Sequence, residues 1–261
     1  MGIGKETAKE IILLGGSVCL IARNPQPLNS AAQEIEGVKQ QDSQFVETIV
    51  CDTTNAAKLQ PLLTAFVARH GVPDYLINCV GLARPRYVQK LTLQDFRDRM
   101  EVNYFGQLVP IHILLPYFIE ARKGHIANVS SMMGYFGFMG YVAYSPTKFA
   151  LVGLSEALRH ELKPYNINCS VLYPPDTDTP GLHSEKEGRP KECSIIVGSV
   201  DLMSAQEVAQ AFVEGLLKKQ FTILPGEAGW VWRLNRFAPW LARRILDRKY
   251  DQARQQTGLL L

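Results

Sequence analysis

Tyr144 and Lys148 stand four residues apart in YSPTK, at the head of a stretch with helical patterning, so a phenol and an ammonium share one helix face. A phenol within reach of a cation is a proton donor whose ionisation can be tuned. The pair alone says little in a chain with ten tyrosines, where a core tyrosine beside a surface lysine is the ordinary arrangement. Ser131 gives it weight. It ends the apolar run HIANVSS thirteen residues earlier, and Gly134, Gly137 and Gly140 fill the interval. Hydroxyl, phenol and amine in that order form a joint pattern far more specific than the pair.

A second group of residues suits an anionic ligand. Gly2 and Gly4, followed by Lys5-Glu6-Thr7-Ala8, fit a helix N-terminus where absent Cβ atoms let a pyrophosphate reach backbone N–H groups and the positive end of the helix dipole. Two glycines by themselves fit an ordinary helix start better. Arg23 closes LIARN, where selection of an unphosphorylated dinucleotide calls for an acidic residue on the ribose hydroxyl. A cation there favours a 2′-phosphate; the plainer alternative is a solvated arginine. Asp52 and Thr53 end one strand and Asn78-Cys79-Val80-Gly81 the next, so polar or glycine residues fall together at one sheet edge, where a nucleotide would lie.

The elements that must position these groups follow from alternation. Short β-branched runs at about 17–22, 45–51, 75–80, 125–131, 167–173 and 221–224 are separated by helical stretches, the order that builds parallel βαβ units. Runs such as SVCLIA and NCSVLY are apolar nearly throughout, as a sheet covered on both faces requires. The expected fold is an α/β doubly wound parallel sheet. The chain has 261 residues, 46% apolar and 20% charged, which excludes a disordered segment, a disulfide miniprotein and a fibrous repeat. A formal charge of +3 gives no ground for a nucleic-acid partner. Five scattered cysteines lack zinc-site spacing, so no metal is expected, and their odd number fits a reducing compartment. Neither a signal peptide nor a membrane-spanning run is read, since Pro110, His112 and Pro116 interrupt the most apolar stretch.

Together these features resemble the short-chain dehydrogenase/reductase family. The glycine turn Gly2-Ile3-Gly4, the strand end Asn78-x-Val80-Gly81, Asn103 in MEVNYFG, Ser131, Tyr144 and Lys148 match its pattern from Gly2 to about Leu224. The resemblance implies a Rossmann-like domain over residues 1–225 that binds NADPH through Gly2, Ile3, Gly4, Arg23, Asp52, Thr53, Asn78, Val80, Gly81, Tyr144, Lys148, Pro174, Thr177 and Thr179. It implies that Tyr144 protonates a ketone oxygen as hydride arrives, that Ser131 orients that oxygen, and that Asn103 holds a water linking Lys148 to solvent. Lys148 and the oxidised nicotinamide are expected to make the phenol more acidic. Within the family, YPPDTDTPG and HELKPYNI resemble members that reduce a long-chain 3-keto sphingoid base; another lipid or steroid ketone is the alternative. Val80 stands where alanine is usual, Pro175 where glycine is usual, and Pro146 enters the first turn after Tyr144, where a proline is tolerated.

Three expectations concern the rest of the chain. Gly2 follows a single methionine, so the buried strand that opens such a sheet is missing from the chain as read, and its two neighbours would face an empty position. A start placed too late or a trimmed fragment accounts for this better than a working enzyme lacking the strand; a non-catalytic binding remnant is the alternative of a different class. Residues 179–198 read as a polar lid loop. Residues 226–261 form a separate tail that carries all three tryptophans among Arg233, Arg236, Arg243, Arg244, Arg248 and Lys249. Such a tail suits peripheral contact with the cytoplasmic face of a membrane, or else packs back as a substrate lid or dimer contact. Homodimerisation through the helices at 91–122 and 144–163 is implied by the resemblance alone.

Overall fold

The structure, a computed structural model, describes residues 2–185, 188–198 and 202–258. In chain order its elements are α1 Ile3–Leu13, β1 Val18–Ala22, α2 Pro25–Glu36, β2 Val46–Val50, α3 Ala56–His70, β3 Tyr75–Asn78, α4 Leu93–Met100, α5 Gly106–Ala121, β4 Gly124–Val129 and α6 Ser145–Leu162. There follow β5 Ile167–Leu172, β6 Thr177–Asp178, α7 Pro180–Glu185, α8 Lys191–Val197, β7 Met203–Ser204, α9 Ala205–Leu217, β8 Thr222–Ile223, α10 Ala228–Phe237 and α11 Pro239–Thr257. All six expected strands are present, each trimmed by one or two residues where the run passes into a turn, with β4 gaining Gly124 at its start.

The strands β3-β4-β5-β8 form a parallel sheet, and β1-β2 form a second parallel pair. Neighbouring residues of β4 show why apolar side chains occupy successive positions in it. Ile126 enters the cluster of Phe118, Leu114, Leu162 and Cys169 on one face, while Ala127 enters that of Leu172, Phe212 and Ile223 on the other. No hydrogen bonds join β1 to β3. A cavity of about 1300 Å³ opens between them, with residues 18–22 and 76–80 on its walls and α1 across it. These six strands of the described residues therefore fall into two parallel sets, divided between β1 and β3.

Residues 179–198 depart from expectation. They are not one lid loop: Thr177–Asp178 pairs in parallel with Met203–Ser204, and α7 and α8 occupy most of the stretch. Of the polar residues in the stretch, Glu185 and Arg189 form a largely buried ion pair, taken up below, while His183 and Ser184 are exposed. The tail also folds back. Tyr250 Oη accepts from the Met139 amide at 2.7 Å, Asn235 Nδ2 donates to the Tyr135 carbonyl at 2.6 Å, and Thr257 Oγ1 donates to Glu192 at 2.8 Å. Among the described residues one helix, 93–121, is long and apolar enough to cross a membrane, but Ile111, Leu114 and Phe118 on it are core residues.

A divided sheet has a kinetic signature. In amide hydrogen exchange, β4, hydrogen-bonded on both sides, should protect its amides best, while the slot-facing amides of β1 and β3 exchange at least about tenfold faster. Equal protection across β1, β3 and β4 would mean that the slot is closed in solution.

Candidate active site

The end of β4 and the start of α6 assemble the reactive groups. Pro146 sits in the first turn of α6, where its missing N–H costs nothing and its fixed φ favours helix, so Tyr144 and Lys148 fall on successive turns facing β4. Lys148 is 2% exposed and donates through Nζ to the Val129 carbonyl at 2.9 Å. Its Nζ lies 5.6 Å from the Tyr144 ring centroid. Gly81 makes room for the amine: a Cβ there would come within 3.1 Å of Nζ. Ser131 caps the short turn after β4, accepting from the Met133 amide at 3.2 Å, and its hydroxyl is near enough to the Tyr144 phenol to favour the phenolate. Serine, phenol and amine thus meet in one cavity, on whose wall all three lie.

The ionisation differs from the sequence expectation. Burial pushes the Tyr144 phenol well above its ordinary value, and the nearby carboxylates of Glu185 and Asp176 push the same way, outweighing the Ser131 hydrogen bond that favours phenolate. Burial also lowers Lys148 to about 8. In the ligand-free chain the lysine does not make Tyr144 acidic; both groups are dominated by desolvation, and the phenol stays protonated at neutral pH.

Asn103 occupies a π-helical turn, Glu101–Phe105, between α4 and α5. It is fully buried. Its Oδ1 accepts from the Leu82 amide at 2.8 Å, and its Nδ2 donates to the Leu82 carbonyl at 3.1 Å and to Thr147 Oγ1 at 3.0 Å. The side chain therefore pins the strand-end loop to α6, and no side-chain hydrogen bond joins it to Lys148. Asn78 is likewise committed, donating to Asn128 Oδ1 at 2.9 Å, while Asn128 donates to Ser155 Oγ at 2.9 Å, a buried amide chain that ties β3 to β4 and α6. Gln107 was not singled out from sequence. Its Nε2 reaches both the Val80 carbonyl at 2.8 Å and the Val129 carbonyl at 3.1 Å, fastening the two strand ends that flank the amine.

The same cavity tests the dinucleotide reading. Gly2, the N-cap of α1, has φ +73°, a conformation that disfavours a side chain, and a Cβ on it would come within 3.0 Å of Thr179. A Cβ on Gly4 would come within 3.1 Å of Cys79. Ile3, Arg23, Thr53, Asn78, Val80, Gly81, Pro174, Thr177 and Thr179 all line the cavity with them. Asp52 does not. It pairs with Arg23 at 3.5 Å and accepts from the Thr54 amide and hydroxyl at 3.0 Å, so it holds the arginine at the rim. A bare helix start, close-approach glycines and a half-exposed cation at the end of β1 fit a dinucleotide carrying a 2′-phosphate.

Such a cavity at the carboxyl edge of a parallel sheet, with a proton donor set beside the dinucleotide positions, defines an oxidoreductase of the Rossmann type. The chain belongs to the short chain dehydrogenase family, which it matches over residues 1–190. It is 36% identical over 231 residues to the 3-dehydrosphinganine reductase of Danio rerio, covering 88% of this chain and 70% of that protein. It is 37% identical over 236 residues to the 3-ketodihydrosphingosine reductase of Dictyostelium discoideum, covering 85% and 71%. A short chain dehydrogenase/reductase from Burkholderia phymatum, solved in complex with NAD, superposes with a TM-score of 0.79 at 23% identity, covering 92% and 91%.

The buried ammonium makes a stability prediction. Lys148 has a folded pKa of about 8, below its unfolded value near ~10.4, so the unfolded chain binds the extra proton between these pH values and stability rises as pH climbs through the window. Lys148→Met should be more stable than the parent below pH 8, by up to about 3 kcal/mol before the lost Val129 contact is counted, and the difference should shrink toward pH 10.5. Chemical denaturation across that range measures it; a pH-independent difference would contradict the buried charge.

Proposed function

We propose that the chain reduces 3-ketodihydrosphingosine, a long-chain 2-amino-1-hydroxy-3-ketone, to its alcohol with NADPH. The observation that carries the reading is the meeting of Ser131, Tyr144 and Lys148 on the wall of one cavity that is also lined by Phe136, Phe138, Val231, Leu234 and Leu246. The names of the similar reductases support the substrate, and Arg23 at the rim supports the phosphorylated cofactor. When bound, the reduced nicotinamide supplies the hydride.

The residues do the rest. Ser131 and Tyr144 both donate to the ketone oxygen and fix its position; as negative charge grows on that oxygen, Tyr144 gives up its proton. Burial suits this direction, because a phenol held protonated at neutral pH is ready to donate without prior uptake. The phenolate left behind sits beside the Lys148 ammonium, which now favours it and can return a proton. Asn103 and Gln107 act as positioning residues, holding the loops that place Tyr144 and Lys148.

We infer further that α10 and α11 rest on an anionic bilayer. Trp230, Phe237 and Trp240 are 58%, 79% and 65% exposed, among the exposed Arg233, Arg236, Arg243, Arg244 and Arg248. Trp230 and Arg243 also line the cavity, so a surface that attracts lipid adjoins the route by which an apolar substrate enters. The same helices wall the cavity, so deleting them would damage the site, and point substitutions are the suitable probe.

Tyr144→Phe should lower turnover of 3-ketodihydrosphingosine by roughly 10²- to 10⁴-fold while leaving NADPH affinity within about twofold, read by NADPH oxidation and fluorescence titration. Parent-like turnover would discard the assignment. Replacing Trp230, Phe237 and Trp240 together by serine should reduce co-sedimentation with phosphatidylserine-containing vesicles several-fold; unchanged partitioning would remove the membrane contact.

A further inference from the structure

The cavity wall that holds Tyr144 also carries two carboxyl groups that act on it. Asp176 lies between the end of β5 and β6, and Glu185 ends α7; both face the cavity with Tyr144. Glu185 Oε2 accepts from the Tyr141 hydroxyl at 3.0 Å, and the Tyr141 ring stands 5.9 Å from that of Tyr144. Arg189, 6% exposed at its side chain, lies 3.5 Å from the same carboxylate oxygen. Among the described residues no hydrogen bond or ion pair reaches the Asp176 carboxylate.

Among the described residues the two carboxyl groups share one guanidinium, and Glu185 is the one engaged by Tyr141 and Arg189. Water-poor surroundings make a charged carboxylate costly: burial raises Glu185 to about 7, so that it is partly neutral at neutral pH, and lifts Asp176 above the usual carboxylate range. The Asp176 carboxylate thus has no ion-paired cation of its own among the described residues, and it lines the cavity in which Ser131 and Tyr144 meet. A neutral ketone would leave it without one. A ketone with a protonated amine on the adjacent carbon would supply one, because the ammonium sits one carbon from the carbonyl.

We propose that Asp176 is the specificity residue for an α-amino ketone: its carboxylate receives the substrate ammonium while Glu185, held by Tyr141 and Arg189, shapes the pocket behind it. This rests on the sphingoid-ketone reading and assigns the part of the site that reads the amine. The arrangement selects among lipid ketones by charge, through a residue that takes no part in proton transfer.

The test compares two ketones of equal chain length in the NADPH assay, 3-ketodihydrosphingosine and its des-amino analogue 1-hydroxyoctadecan-3-one. The parent chain should prefer the amine roughly 10- to 100-fold in kcat/KM, the value of one charge-assisted contact, with the difference mainly in KM. Asp176→Asn should reduce that preference ratio by at least about tenfold. Equal use of both ketones by the parent overturns the proposal without any variant, as does an unchanged ratio in Asp176→Asn. Turnover of neither ketone by the parent overturns the functional reading itself and the proposal with it, so the two failures are told apart.

Discussion

The hydrogen bond from Lys148 to the Val129 carbonyl is the constraint on which the site depends. A buried ammonium must find an acceptor, and the acceptor here is the last residue of the strand that leads to Ser131. Satisfying the amine therefore docks the first turns of α6 against the end of β4 and sets the phenol beside the serine. Gln107 shares the same carbonyl, and Asn103 grips Thr147 one residue before the lysine, so α5 and the π turn brace the contact from the other side. The polar cluster is expensive to bury and is made tolerable by pairing the Lys148 amine and the Asn103 and Gln107 amide nitrogens, although Gln107 Oε1 is left without a partner.

Desolvation then decides the chemistry. The position that makes Lys148 less basic also makes Tyr144 less acidic, and the carboxylates at Asp176 and Glu185 add to the second effect. A protonated donor beside a nearly neutral-range amine suits reduction, in which the phenol must lose a proton and regain it each cycle. The Asp176 carboxylate that helps hold the phenol protonated has no ion-paired partner among the described residues, which links the proton donor's state to the charge of the molecule bound next to it.

Much of this was legible in the sequence because it is local. Continuous apolar runs marked the six strands, and Tyr144, Lys148 and Ser131 are close enough in the chain for helix and strand geometry to bring them together. What the sequence hid is long-range. Nothing near Asn78 shows that its amide is spent on Asn128 fifty residues away, and nothing in the polar stretch around Glu185 and Arg189 shows that it folds against Tyr141. The tryptophans of α10 and α11 read equally as membrane anchors or lid; the structure has the helices walling the cavity while three large aromatic side chains face outward. The upward shift of Tyr144 in the ligand-free chain was not legible, because helix spacing shows the amine's proximity but not the burial that opposes it.

The central claim is that burial, rather than the neighbouring lysine, governs Tyr144 in the ligand-free chain. Carbon-13 NMR of ring-labelled tyrosine, with the Tyr144 signal assigned by difference against Tyr144→Phe, tests it directly. The account predicts that this resonance keeps its protonated position past pH ~10, the midpoint of a free phenol. A midpoint below that value would show that the amine prevails, and would contradict the account.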